Sequence, residues 1–208
     1  MTMFGIGDSI HFTFDEHRRQ RISVPEPFLP LAAWLHTDVQ PNLAALDGLI
    51  EQLRHCRQIE RRLLGNGCSI DFVNDVVLLE SLYRTWQRCV IPQSLFWPVL
   101  DGLRNFLIGT AAEPGLARPA GLPEPTRMTT EVPARNNQSP HLVDHTYFPV
   151  SWSEQEVAQA GDGAWASPEL IYDQATGAWS GMWRGMELAG YYDVATGEAL
   201  TYFPVLSP

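Results

Sequence analysis

The chain has 208 residues, 45% of them hydrophobic and 18% charged, and its formal net charge is −10 at pH 7. This apolar fraction argues against a disordered chain, and no stretch approaches the ~18 uninterrupted apolar residues of a membrane helix. The first eight residues lack the basic and apolar regions of a signal peptide. We therefore expect a folded cytoplasmic protein with one medium or two small domains and no membrane association.

Acidic residues are concentrated in the last third of the chain. Residues 141–208 hold nine acidic residues and a single arginine, Arg184, whereas residues 1–110 hold twelve acidic residues and ten arginines. Nucleic-acid binders usually present a basic face to phosphate, so this distribution argues against direct binding of RNA or DNA. It favours a basic protein as the partner.

The three cysteines are Cys56, Cys68 and Cys89, and no CxxC spacing occurs among them. An odd number without that spacing argues against a disulfide framework and against a zinc site built from cysteine. Buried thiols are the favoured interpretation, with a nucleophilic cysteine as the alternative. We predict no metal site and no cofactor.

Residues 1–110 predict an α+β unit. Ile10, Phe12 and Phe14 alternate as on a strand, and Ile22 and Val24 indicate a second strand. The later elements predicted in this unit are a short helix over 31–36, a longer helix with Pro41 at its first position, a hairpin over 68–73 and 76–82, and a last helix over 99–107 with Pro98 near its start. This order predicts a small, mostly antiparallel sheet packed with two main helices.

Residues 111–140 predict a linker and a domain boundary. They contain six prolines, two glycines and the polar run Asn136-Asn-Gln-Ser139, without apolar periodicity. The domains predicted are therefore 1–110, a linker over 111–140, and 141–208.

Two short repeats organise residues 141–208. Thr-Tyr-Phe-Pro-Val occurs at 146–150 and 201–205, and Tyr-Asp-x-Ala-Thr-Gly occurs at 172–177 and 192–197. The second motif predicts tight reversals with the glycine in a left-handed conformation. The elements predicted are a strand over 146–150, a helix over 154–159 capped by Ser151 or Ser153, and strands over 170–172, 178–183, 186–192 and 199–205. They form a second small antiparallel β-rich unit with one helix.

The segment Thr146–Val157 resembles the part of bacterial EndoU nuclease domains that has the pattern Thr-x-Phe-Pro-x-x-Trp-Ser before a helix. Gly197–Pro204 is similar to the closing Gly-x-Ile-x-Thr-Ala-Tyr-Pro of that family. The likeness covers about a third of this chain, residues ~141–208, and only the C-terminal half of the family's domain. EndoU domains are RNA-cutting tips of many contact-dependent growth inhibition toxins, so the resemblance implies that toxin system.

The resemblance also implies candidate catalytic residues, His141, His145 and Thr201, for metal-independent RNA cleavage by a base, an acid and hydrogen-bond donors. Thr201 matches the family threonine, but Phe203 occupies the tyrosine position and cannot donate a hydrogen bond. The Gly-Gly-His pattern of the family does not occur. We therefore expect His141 and His145 to be surface residues, and we expect the protein to bind a partner rather than to cleave RNA.

A second resemblance covers roughly residues 1–108. The run Trp34–Asp47 resembles the YacL-like proteins, in which a tryptophan and an Asn-Leu-Ala-x-Leu-Asp run open the main helix, and Phe96–Leu107 is similar to the end of that family. Some immunity proteins of contact-dependent inhibition systems resemble this family. Both resemblances therefore imply one biological system.

We predict an immunity-type protein that binds and neutralises a basic, EndoU-like RNase toxin. The alternatives are a diverged EndoU-type ribonuclease and a non-catalytic interaction protein unrelated to toxins. Candidate partner-binding residues are Trp152, Trp183, Asp173, Asp193 and Glu187. Alternatively, the tryptophans fill a small core. The sequence leaves the oligomeric state open.

Overall fold

The computed structural model describes residues 4–6, 9–86, 88–111, 121, 123–134 and 139–208. Within them the helices are α1 (Leu29–Trp34), α2 (Leu43–Gln58), α3 (Gln93–Thr110) and α4 (Glu154–Trp165). The strands are β1 (Phe4–Ile6), β2 (Ile10–Phe14), β3 (Gln20–Ser23), β4 (Leu63–Leu64), β5 (Cys68–Val73), β6 (Val76–Ser81), β7 (Cys89–Pro92), β8 (Thr126–Val132), β9 (His141–Tyr147), β10 (Ile171–Tyr172), β11 (Ala178–Trp183), β12 (Met186–Tyr192) and β13 (Ala199–Pro204). The fold is α+β, as predicted.

The described strands form three sheets. A three-stranded sheet has the order β1-β2-β3, a six-stranded sheet the order β7-β6-β5-β4-β9-β8, and a four-stranded sheet the order β10-β11-β12-β13. The pairing of β4 with β9 is parallel, and the other pairings are antiparallel. The mostly antiparallel arrangement predicted from the sequence is therefore confirmed.

Strand β8 lies within 111–140, the segment predicted as a linker. It pairs with β9 from Thr126 opposite Tyr147 to Val132 opposite His141, and β9 pairs with β4. Residues 126–132 therefore form an edge strand rather than part of a linker, because this stretch lacks proline and its β-branched residues suit an edge strand. The six-stranded sheet contains strands from all three segments into which the sequence was divided.

The main core lies between the six-stranded sheet and helices α2 and α3. Leu46, Leu49, Ile50 and Leu53 of α2 are buried there, together with the inner faces of α3, β5, β6 and β2. Helix α2 is capped by Asn42, whose side chain accepts a hydrogen bond from the Ala45 N–H at 3.0 Å. Pro41 therefore precedes the cap, and its predicted place at the first helical position is wrong. Helix α3 begins at Gln93, which makes Pro98 an interior residue.

Two short elements differ from their predicted bounds. Helix α1 is continued by a π-helical turn over Leu35–Val39. The strand predicted over 146–150 lies earlier, as β9, because Pro149 has no N–H to donate to a ladder. The hairpin predicted around Asn74-Asp75 is confirmed, with Val73 opposite Val76.

Helix α4 packs on one face of the four-stranded sheet. Trp179 and Leu188 from that face meet Ala160 and Ala164 of the helix. A Cβ atom added at Gly181 would lie 2.1 Å from the Ala164 carbonyl oxygen, so glycine permits this close approach. The opposite face points toward the rest of the protein, since its Tyr191 and Ala178 belong to the main core. No helix among the described residues is long and apolar enough to cross a membrane.

Candidate functional site

The structure brings together two predicted binding residues, Trp152 and Trp183. Their rings meet edge to face with centroids 5.5 Å apart, and both side chains are half-buried. Phe148 stacks on Trp152 at 5.7 Å, and Tyr202 meets Phe148 edge to face at 6.1 Å. We call these four residues the aromatic patch. Half-buried aromatic rings of this kind are typical anchors for a protein partner.

Local sequence places the aromatic patch at one end of the four-stranded sheet. Trp183 ends β11, and the following Arg184 and Gly185 both have positive φ angles, 49° and 82°, as in a two-residue hairpin turn. Trp152 precedes the cap of α4 at Ser153. Of the two predicted caps, Ser153 is confirmed: its hydroxyl accepts a hydrogen bond from the Glu156 N–H at 3.3 Å.

A recess of about 170 Å³ lies beside the aromatic patch. Its walls include both tryptophans, Met186, Arg184 and Glu156. The Arg184 guanidinium lies over the Trp183 ring, 4.5 Å from its centroid. Hydrogen bonds from the Ser153 backbone and hydroxyl lower the pKa of Glu156. The recess therefore combines an apolar floor with an ionised carboxylate.

Asp173 and Asp193 lie at the opposite end of the sheet. The Asp173 carboxylate accepts hydrogen bonds from the Ala175 N–H at 2.9 Å and the Thr176 hydroxyl at 2.7 Å. The Asp193 carboxylate accepts one from the Ala195 N–H at 2.7 Å. The glycines that close these turns, 177 and 197, have φ angles of 69° and 76°, which confirms the predicted left-handed conformation. Both carboxylates thus shape turns and are only partly exposed.

Glu187 points inward. Its side chain is 11% exposed and accepts a hydrogen bond from the Ser180 hydroxyl at 2.5 Å. His36 Nε2 lies 3.3 Å from the same carboxylate, but without the alignment of a hydrogen bond. Glu187 therefore offers little surface to a partner, in contrast to its predicted role. His36 was missed by sequence reasoning because no motif joins it to β11 and β12.

The three candidate catalytic residues lie on two sheets. His141 and His145 are on β9, where His141 Nδ1 lies 3.1 Å from the Ser139 carbonyl and His145 Nε2 is buried without a hydrogen-bonding partner among the described residues. Thr201 is on β13, opposite Tyr191. Among the described contacts, no hydrogen bond joins Thr201 to either histidine. Phe203, at the tyrosine position of the EndoU pattern, is buried with Ala189 and Val205.

Most of the acidic residues in 141–208 remain at the surface. Asp144 is buried and paired with Arg127 at 2.5 Å, and Glu187 faces inward. The other seven are at least partly exposed: Glu154, Glu156, Asp162, Glu169, Asp173, Asp193 and Glu198. Arg184 is the single arginine of this segment, so its surface is strongly acidic.

A buried polar network that the sequence did not reveal joins β12 to β5 and to the π-helical turn. Asp38 Oδ1 accepts a hydrogen bond from the Gly67 N–H at 3.0 Å, and Oδ2 accepts one from the Thr37 hydroxyl at 2.6 Å. The Tyr191 hydroxyl lies 3.3 Å from Thr37 Oγ1 and 3.3 Å from Cys68 Sγ. Burial raises the pKa of Asp38 and raises the pKa of the Cys68 thiol well above its ordinary value.

Burial also raises the thiol pKa of the other two cysteines, that of Cys56 to about 11. Thiols with raised pKa values are poor nucleophiles, so this disfavours the nucleophilic-cysteine alternative. The described residues contain no group of three or more His, Cys, Asp or Glu side chains that could hold a metal ion.

Gln40 connects the two copies of Thr-Tyr-Phe-Pro-Val. Its Nε2 atom donates toward Thr146 Oγ1 in the first copy and toward the Pro204 carbonyl in the second, both at 3.3 Å. Its Oε1 atom accepts a hydrogen bond from the Leu206 N–H at 3.0 Å. The repeated motif therefore marks two strands that converge on one buried amide.

Comparison with known proteins finds no match to this chain among family models, curated proteins or solved structures.

Proposed function

We propose that this is an immunity-type protein that binds a basic, EndoU-like ribonuclease and blocks its active site. The observation that carries the proposal is the ratio of seven surface carboxylates to one arginine in residues 141–208. A ribonuclease must present cations to RNA phosphates, and an acidic surface is complementary to such a site. Attraction between the two surfaces accelerates association of the two proteins. The same acidic surface repels RNA phosphates and therefore disfavours binding of RNA.

The aromatic patch supports the proposal as an anchor within the acidic surface. Interface hot spots are enriched in Trp and Tyr, and two half-buried indoles in contact meet that description. Glu154 and Glu156 stand at the start of α4, next to Trp152. A basic residue of the partner could contact a carboxylate there while an apolar group enters the recess. The resemblances to EndoU domains and to YacL-like proteins both favour a role in contact-dependent growth inhibition.

Isothermal titration calorimetry with a purified bacterial EndoU-type RNase domain tests the proposal. We expect a one-to-one complex whose affinity falls as salt concentration rises. Trp183→Ala should weaken binding by about tenfold or more, the usual scale of an anchor residue. Tyr172→Ala is the matched control, because Tyr172 is an exposed aromatic residue at the opposite end of the same sheet.

RNA cleavage by the protein alone separates this proposal from the ribonuclease alternative. We expect no cleavage of tRNA at micromolar protein. Cleavage that disappears in Thr201→Ala would favour the enzyme. If the titration with an EndoU-type domain releases no heat of binding and no complex forms, the immunity proposal is contradicted.

A further inference from the structure

Strand β8 forms one edge of the six-stranded sheet, and the backbone on its outer side has no hydrogen-bonding partner among the described residues. With seven residues it is the longest edge strand in the described part of the chain. The edge strands β1, β3, β7 and β10 have only two to four residues. The edge strand β13 is contacted by Gln40, which donates toward the Pro204 carbonyl at 3.3 Å. An open edge as long as that of β8 is a template for pairing with another strand.

The hydrogen bonds of β9 show which backbone groups of β8 face outward. The N–H of Leu142 donates to the Arg62 carbonyl at 3.0 Å, and the N–H of Thr146 donates to Asn66 Oδ1 at 2.9 Å, so both point away from β8. Residues directly opposite one another in an antiparallel pair either exchange hydrogen bonds or both point away. The residues of β8 opposite these two, and the residue midway between them, therefore direct their N–H and C=O groups outward: Glu131, Arg127 and Thr129.

Bulges, prolines and lysines, which commonly block an open edge, do not occur within β8. Its register with β9 is regular from 126 to 132, and four of its seven residues are β-branched, which favours an extended conformation. Its two charged side chains are held in ion pairs within the chain, Arg127 with Asp144 and Glu131 with Arg61. The edge is therefore regular, extended and without an unpaired charge.

The sequence of β8 is complementary to itself. In an antiparallel pairing of two copies centred on Thr129, each Arg127 lies opposite Glu131 of the second copy, and Thr129 lies opposite its own equivalent. All three pairs consist of outward-facing residues, so each pair exchanges two backbone hydrogen bonds, about six in total. Opposite charges face each other across the pairing, and the exposed Met128 lies beside Thr130 of the second copy.

Two prolines favour this register over its neighbours. Pro125 and Pro133 each lie four residues from Thr129, on opposite sides of it, and neither has an N–H to donate. A pairing shifted by two residues in either direction places an outward-facing residue opposite one of these prolines and loses hydrogen bonds. A shift of one residue sets the outward-facing groups against residues whose N–H and C=O groups already bond to β9. The pairing centred on Thr129 therefore makes the most hydrogen bonds.

We propose that two copies of this chain associate by antiparallel pairing of their β8 strands, which joins the two six-stranded sheets into one continuous sheet. The dimer is isologous, since its two-fold axis passes through Thr129. Two seven-residue strands make a small interface, so a dissociation constant in the micromolar range is expected. Strand β8 contains no residue of the aromatic patch, and the proposal is therefore independent of ribonuclease binding.

Sedimentation velocity of the full chain, from low micromolar to several hundred micromolar protein, measures the association. We expect a monomer–dimer equilibrium. Thr129→Lys places two lysines opposite each other at the two-fold axis and should raise the dissociation constant of the dimer by at least about tenfold. The monomer should tolerate the change, since Thr129 is exposed and lysine is common on edge strands. Val90→Lys is the matched control and should leave the equilibrium unchanged, because Val90 is 52% exposed on β7, the opposite edge strand of the same sheet.

A cysteine at the two-fold axis tests the register. Thr129→Cys should form a disulfide between two copies under mild oxidation, because the Cα atoms of a hydrogen-bonded antiparallel pair are about 5.5 Å apart. Val90→Cys is the control and should stay unlinked, and the three native cysteines are buried. A wild type that stays monomeric at several hundred micromolar, a dimer that Thr129→Lys leaves intact, or equal cross-linking at the two positions would overturn the proposal.

Discussion

The hydroxyl of Tyr191 lies 3.3 Å from the Sγ atom of Cys68, and both side chains are fully buried. Tyr191 belongs to the four-stranded sheet and Cys68 to the six-stranded sheet, and 123 positions separate them in sequence. The same hydroxyl also reaches Thr37. This contact joins residues 141–208 to the main core, which is built largely from the earlier part of the chain.

Removing that hydroxyl should lower stability. Tyr191→Phe leaves the ring in place but deprives Thr37 and Cys68 of a partner, which costs about 0.5–1.5 kcal/mol in the free energy of unfolding. Tyr192→Phe is the matched control, because the neighbouring Tyr192 hydroxyl has no hydrogen-bonding partner among the described residues. Urea denaturation of both variants measures the difference. Equal losses at the two positions would show that the Tyr191 contact contributes no specific stability.

Asp38 should make stability fall as the pH rises. Burial raises its pKa in the folded protein above the ordinary value of 3.8, so the folded state holds the proton more tightly than the unfolded state. Stability is then lost as the pH rises from about that ordinary value through the raised folded pKa. Asp38→Asn removes this loss, because the amide stays neutral.

Denaturation curves of the wild type and Asp38→Asn across that pH range test the prediction. The stability of the variant relative to the wild type should increase with pH. A difference that stays constant, or that shrinks as the pH rises, would mean that burial does not control the Asp38 carboxyl.

The cap of α4 offers a matched pair of serine substitutions. Ser153→Ala removes the side-chain hydrogen bond to the Glu156 N–H and should cost about 0.5–2 kcal/mol of stability. Ser151→Ala should have little effect, since Ser151 is exposed and lies outside the capping box. Thermal unfolding followed by circular dichroism compares the two. A larger loss in Ser151→Ala would contradict the assigned cap.

The surface carboxylates should affect mainly the rate of association with the proposed ribonuclease partner. Glu154→Gln combined with Glu198→Gln removes two exposed charges from opposite ends of the acidic surface while keeping side-chain size. We expect the association rate constant at low salt to fall several-fold and the dissociation rate constant to change little. Stopped-flow binding measures both constants. A change confined to dissociation would point to direct contacts rather than to long-range attraction.

Sequence patterns predicted the local elements of this fold well. Strands β10–β13 flank the two turns with the shared Tyr-Asp-x-Ala-Thr-Gly motif, as predicted, and the cap of α4 follows from Ser153-x-x-Glu156. These features depend on neighbouring residues, so a single sequence contains them. The prolines around β8 concealed that strand, because its pairing with β9 is not visible from its own composition.

Non-local relationships were not predictable. The two-residue strand β4 acquires its parallel partner from β9, far along the chain. The network around Asp38 needs residues from three separate segments: the π-helical turn, the start of β5, and β12. Of the predicted site residues, Trp152 and Trp183 meet because Trp152 precedes α4, Trp183 ends β11, and α4 packs on the sheet that contains β11. The inward orientation of Glu187 depends instead on how the four-stranded sheet packs against the rest of the protein.

The most direct test of the immunity proposal is protection of tRNA from an EndoU-type RNase toxin. The toxin is mixed with increasing amounts of this protein, and intact tRNA is measured by gel electrophoresis. We predict that cleavage stops near a one-to-one ratio and resumes when Trp183→Ala replaces the wild-type protein. Undiminished cleavage in the presence of excess wild-type protein would contradict the account.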